Sequence, residues 1–135
     1  EQTIDEAKKS EIIDKIYVSS DSSEIKKIAK KKKIFYIKRP KNLSRDNSKT
    51  LDAIKHLLDF LKIKKNYIPN YIIILQPTSP FRTIHHIDLA LKKIMNDKIA
   101  DSLVSCVEVP HNFTPELLMT KKNDTYLKIK KLCIQ

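Results

Sequence analysis

Tyr71-Ile72-Ile73-Ile74-Leu75 runs without a break into Gln76-Pro77-Thr78-Ser79-Pro80-Phe81-Arg82-Thr83. An uninterrupted β-favouring apolar run is the pattern of a strand covered by helices on both sheet faces, not of one with a wet side. The sequence therefore predicts an interior strand of a mostly parallel sheet with a polar turn at its carboxyl end. Ligands of open α/β sheets bind outside those ends. Gln76, Thr78, Ser79 and Arg82 bring an amide, two hydroxyls and a guanidinium there. Pro77 and Pro80 fix φ and restrict the residues before them, so the turn holds these groups in place.

The rest of the chain alternates in the same way. Residues 2 to 12 read as a helix with Ile4, Ala7, Ile12 and Ile13 toward one face, followed by a short strand over 15 to 19. Asp21 is placed to cap the next helix, with Glu24 as the acid of a capping box. That helix runs to about Lys32, its lysines solvated and favoured by the helix dipole near the C-terminus. A second strand covers 34 to 37. After a polar loop from Arg39 to Lys49 comes a helix over 50 to 63 with Leu51, Ile54, Leu58 and Leu61 as its apolar stripe. Thr83 is the expected N-cap of a helix over 84 to 95; residues 101 to 107 read as a further strand and 126 to 129 as an edge. Strands alternating with helices of this length imply βαβ crossovers and an α/β fold.

The chain has 135 residues, the size of one domain. Its 27 Lys and Arg against 16 Asp and Glu give a formal charge of +11, which suits a nucleic acid or an anionic small molecule. The lysines are scattered through helices beside abundant isoleucine, and neither a recognition module nor an aromatic stacking platform accompanies them. A nucleic-acid partner is thus disfavoured, although a basic, non-catalytic nucleic-acid-binding module remains the rival from another class. Cys106 and Cys133 lack the spacing of a zinc or redox motif and read as reduced thiols. No apolar run approaches the roughly 18 residues of a membrane span, so no membrane partner and a cytoplasmic location are expected.

LQPTSPFRT, at residues 75 to 83, resembles the signature of the CMP-acylneuraminate synthetases. Three other segments are similar to elements of that family in order and spacing: Val18-Ser19-Ser20-Asp21, Arg39-Pro40-Lys41-Asn42-Leu43-Ser44-Arg45-Asp46, and Ala100-Asp101-Ser102-Leu103-Val104-Ser105. Pro110-His111-Asn112-Phe113, followed by Pro115, most resembles the members that use legionaminic acid. A CMP-Kdo synthetase has an acidic turn where this chain reads Leu75-Gln76-Pro77-Thr78, and so ranks lower.

The resemblance implies a three-layer Rossmann-like nucleotidyltransferase fold. It also implies transfer of CMP from CTP to the anomeric hydroxyl of a nonulosonic acid, with pyrophosphate released. By the same resemblance Arg39 and Thr50 would hydrogen-bond the cytosine, Ser79 would contact the nucleotide or close its turn, and Gln76 would reach the acceptor sugar. Arg82 would neutralise a sugar carboxylate or a phosphate, or pair with a nearby acid; His111 would line the sugar pocket. Gln76 and Arg39 are expected at one shared cavity. Glycine is absent, where ordinary usage of about 7% predicts roughly nine, and nothing matches the family's glycine-bearing phosphate loop. No carboxylate pair has the look of a metal site, so the ligands of the expected Mg²⁺ would lie outside this stretch. The chain is thus read as the central part of a single cytidylyltransferase domain, homodimeric at full length, or else as an inactive remnant.

Overall fold

The computed structural model describes residues 1–45, 47–106, 119–121 and 127–129. It divides into two units, Glu1–Leu103 and Val104–Gln135. In the first, helix α1 spans Gln2–Ala7, well short of the expected end at residue 12. The buried Ser10 ends it: its hydroxyl donates to Asp88 Oδ1 at 2.5 Å and accepts the Ile12 N–H at 3.2 Å. A serine that binds its own backbone two residues on offers the chain a turn in place of another helical step.

Strand β1 (Tyr17–Ser20) and strand β2 (Phe35–Lys38) form a parallel pair across helix α2 (Ser23–Lys31), the expected βαβ unit displaced by a residue or two. Tyr17 lies opposite Phe35 and their rings stack at 5.5 Å, an aromatic pair that fixes the register. Ile37 turns into the core. The cap of α2 is Ser22, not Asp21: Ser22 Oγ accepts the Ile25 N–H at 3.4 Å. With the helix beginning at Ser23, Asp21 stands one residue too early to reach those donors, and Glu24 falls one position short of a capping box. At the other end Lys33 takes φ 54°, its N–H returning to Lys30 O and that of Ile34 to Ala29 O. This is the closing pattern that usually employs glycine.

A single 3₁₀ turn, Lys41–Leu43, interrupts the loop after β2, and helix α3 follows over Thr50–Lys65. Ala53 and Leu61 are its buried positions, whereas Leu51, expected in the apolar stripe, is exposed. Helix α4 covers Ile84–Asn96 with Thr83 at its N-cap as expected; the Thr83 N–H donates to His86 Nδ1 at 3.1 Å. Glu6 Oε2 accepts the Ile84 N–H at 2.8 Å, and Asp5 pairs with Lys32 Nζ at 2.7 Å, so α1 is pinned to the start of α4 and the end of α2. Ala7, Ile87 and Leu91 form the core, with Ile12, Ile13, Ile16, Ile73 and Leu75 packed on it.

The run 71–75 departs from expectation. Its alternation is one-sided: Ile73 and Leu75 face the core while Tyr71, Ile72 and Ile74 are exposed. Among the described residues it exchanges no backbone hydrogen bonds and is not a strand. An apolar run becomes a ladder only beside a partner backbone, and none of the described segments offers one. Residues 101–106 likewise join no strand, and residue 107 lies outside the described residues. In the second unit strands β3 (Met119–Lys121) and β4 (Leu127–Ile129) pair antiparallel, which gives the expected edge a partner of its own. Cys106 is a free, exposed thiol; Cys133 lies outside the described residues.

Candidate functional site

Parallel pairing brings the carboxyl ends of β1 and β2, Ser20 and Lys38, to the same edge. Arg39 is the next residue. Its N–H donates to Ser20 O at 2.9 Å, its Nε–H to Ser19 Oγ at 3.2 Å and its Nη2–H to Ser19 O at 2.6 Å. The guanidinium is therefore tied across the ends of both strands, half-buried, with its remaining N–H groups unspent among the described residues. Tyr36 adds a second tie, its hydroxyl donating to Ser20 O at 2.5 Å.

The loop that follows folds on serines. Ser44 Oγ donates to Pro40 O at 3.2 Å; Ser48 Oγ accepts the Arg45 N–H at 3.1 Å and donates to Asn42 O at 3.1 Å. Held in this way, the loop leads from the end of β2 to the start of α3. Between them lies a cavity of about 160 Å³, lined by Asp21, Arg39, Leu43, Ser44, Arg45, Ser48, Lys49, Thr50 and Ala53. It sits where open α/β sheets take their ligands. The N-cap of α3 is Lys49, whose side chain supplies no capping bond, and Lys49, Thr50 and Ala53 put the first turn of this 16-residue helix in the cavity wall.

Among the described residues the lining sets three cations against one carboxylate, Asp21. None of Arg39, Arg45 and Lys49 forms an ion pair among the described residues. Such a set suits an anion. It does not suit Mg²⁺, which wants several oxygen ligands in octahedral array; the described residues also contain no cluster of three or more metal-binding side chains.

Of the residues expected at a site, the structure brings Arg39 and Thr50 together. Gln76, Ser79 and Arg82 do not line this cavity. They lie on the turn before α4, with Gln76 and Ser79 exposed and Arg82 half-buried. Arg82 closes that turn itself: its Nη1–H donates to Gln76 O at 3.3 Å and its N–H to Ser79 O at 3.4 Å. It forms no ion pair among the described residues. His111 and Asp46 lie outside the described residues. Sequence reasoning missed Arg45, Ser48 and Lys49 as lining. The available signal was the density of cations and hydroxyls between residues 39 and 50, bounded by a strand end and a helix start.

A family model described as cytidylyltransferase matches residues 1–132. An N-acylneuraminate cytidylyltransferase of Escherichia coli is 34% identical over 90 residues, 67% of this chain and 20% of that protein. One of Streptococcus agalactiae is 31% identical over 126 residues, 92% of this chain and 29% of that protein. The chain thus spans under a third of the length of these curated relatives. Helices around a small parallel sheet, with a basic cavity at its carboxyl edge, fit an α/β nucleotidyltransferase fold. The chain belongs to the cytidylyltransferase family.

Proposed function

We propose that this chain is part of a single cytidylyltransferase domain of three-layer Rossmann-like fold, and that its cavity holds the cytidine nucleotide. The full-length enzyme transfers CMP from CTP to the anomeric hydroxyl of a nonulosonic acid, as the names of the two relatives suggest. The hydroxyl gives up its proton to solvent as its oxygen bonds to the α-phosphorus, the bond from that phosphorus to the α,β-bridging oxygen breaks, and pyrophosphate leaves with the bridging oxygen. Catalysis of this type is mostly positioning and charge neutralisation.

One observation carries the reading: Arg39 and Thr50, eleven positions apart in sequence, line one hollow at the carboxyl edge of the parallel pair. In the proposal the unspent donors of Arg39 meet the cytosine acceptors and the Thr50 hydroxyl complements them. The tie to Ser19 keeps the fork from having to be ordered on binding. Ser79 is assigned to the nucleotide, and Gln76, Arg82 and His111 to the sugar, through the family resemblance of their motifs. The Pro110-His111-Asn112-Phe113 segment supports a legionaminic-type acceptor by that resemblance. A homodimer and a Mg²⁺ requirement belong to the same reading, the metal with no ligand assigned here.

The test is pyrophosphate release by the full-length protein, given CTP, Mg²⁺ and a panel of sialic, legionaminic and pseudaminic acids. Release with at least one acid is expected, with legionaminic acid fastest. No release with any of them would overturn the reading.

A further inference from the structure

We infer that the chain carries a second binding site, for a small aromatic carboxylate, at the amino edge of the parallel pair. A cavity of about 240 Å³ lies there, larger than the hollow at the carboxyl edge, and the two share no lining residue. The length of the paired strands, roughly 10 Å, separates the two edges. The inference does not depend on the nucleotide reading.

The walls of this cavity are of two kinds. Ile13, Ile16, Ile34 and Phe35 supply apolar surface, while Lys8, Lys15 and Lys33 stand against one carboxylate, Asp14, among the described residues. Phe35 stacks on Tyr17 at 5.5 Å yet is 57% exposed, so an aromatic ring is left open in the wall. The cations are placed before any ligand arrives. Lys15 Nζ lies 3.7 Å from the centroid of the Tyr67 ring, a contact that holds the head without cancelling its charge. Lys8 Nζ donates one of its three protons to Lys32 O at 3.2 Å. Lys33 stands at φ 54°, where glycine or asparagine would cost less, and brings the third cation to the wall. None of the three forms an ion pair among the described residues. Ammonium groups beside an apolar wall match a ligand with one anionic end and one flat apolar body. A bare anion would leave the apolar wall wet, and a neutral ring would leave the charges unanswered. The volume falls below the roughly 300–1,000 Å³ of sites for drug-sized ligands, which limits the body to about a single ring.

The experiment titrates the full-length protein with 3-phenylpropionate, 3-phenylpropan-1-ol and acetate by NMR, in roughly 50 mM salt. The phenylpropionate should bind with a Kd at or below about 1 mM, and the alcohol and acetate at least about tenfold more weakly. Cytidine should not displace it. Lys33→Gly removes one cation while keeping the closing bonds of helix α2, and so loses the ligand without loosening the fold; affinity should drop at least about threefold. Lys33→Arg, which keeps the charge, should bind as the unsubstituted protein does. An alcohol that binds as tightly as the acid overturns the inference, because the wall is then merely apolar; acetate binding as tightly overturns it as an adventitious ion only. Unchanged affinity in Lys33→Gly, or displacement by cytidine, overturns it too, since the acid then sits elsewhere. Any of these failures leaves the pyrophosphate-release test of the cytidylyltransferase reading untouched.

Discussion

The Ser48 hydroxyl accepts from Arg45 N–H and donates to Asn42 O, so one oxygen links three positions of the loop that borders the cavity. Net hydrogen-bond contributions are modest, and Ser48→Ala is expected to cost about 1 kcal/mol of stability. Urea unfolding of the variant checks this; an unchanged midpoint would mean that the loop keeps its shape without the hydroxyl. Arg39 is the more demanding case, because its two bonds to Ser19 need a planar fork. Arg39→Lys retains the charge but cannot reproduce that geometry, and a loss of cytidine affinity of about tenfold is expected by titration. An Arg39→Lys variant that binds cytidine normally would show that charge alone suffices. Arg39 was legible in the sequence through its motif. The serines were not, because a loop serine has no pattern until its partner is known.

Helix ends are where short-range reading and folded geometry part company. Asp21 and Ser22 are both competent caps, and which one serves depends on where the first helical φ/ψ falls; here helix α2 begins at Ser23. Ser22→Ala should therefore cost about 1 kcal/mol, whereas Asp21→Ala should leave stability within about 0.5 kcal/mol. Thermal unfolding of the pair of variants decides it, and a larger loss from Asp21→Ala would return the cap to Asp21. A chain without glycine must also close its helices on other residues. Lys33 at φ 54° and Asn66 at φ 47° do so, and a side chain in that region is strained unless small and polar. Lys33→Gly is expected to stabilise by up to about 1 kcal/mol, since it relieves that strain while keeping the closing bonds from Lys33 and Ile34; a destabilised variant would sink the idea. The missing element is the run 71–75. Its apolar letters predict burial, and two of the five, Ile73 and Leu75, are partly buried, but a strand is a relation between two backbones and no single segment encodes its partner.

Within the first unit, α1 is the fastener. Lys9 and the Ile84 N–H hold the Glu6 carboxyl below its usual range, and Lys32 does the same for Asp5 while its own ammonium is held above its usual value. A carboxylate with a depressed folded value contributes stability that is present above the ordinary carboxylate range and lost as pH falls through the depressed value. Lys32 has the opposite sign: its contribution is present below the ordinary lysine value and lost as pH rises through the raised one. Stability should therefore be flat near neutrality and decline below about pH 4.5. The Asp5→Asn/Glu6→Gln variant should be less stable at neutral pH and show a shallower acid decline, measured as urea midpoints across pH; an identical acid limb would sink the assignment. The sequence alone determined the alternation of β1, α2, β2, α3 and α4 and the family motifs, because local periodicity and turn residues act within a few positions of themselves. It also brought out Arg39 and Thr50, two residues that line the cavity. Only the tertiary structure decided that Arg45, Ser48 and Lys49 join them, that Arg82 turns back on Gln76 O, and that 71–75 packs on one face. Each of those depends on which backbone lies alongside, a long-range contact whose closure no local pattern carries.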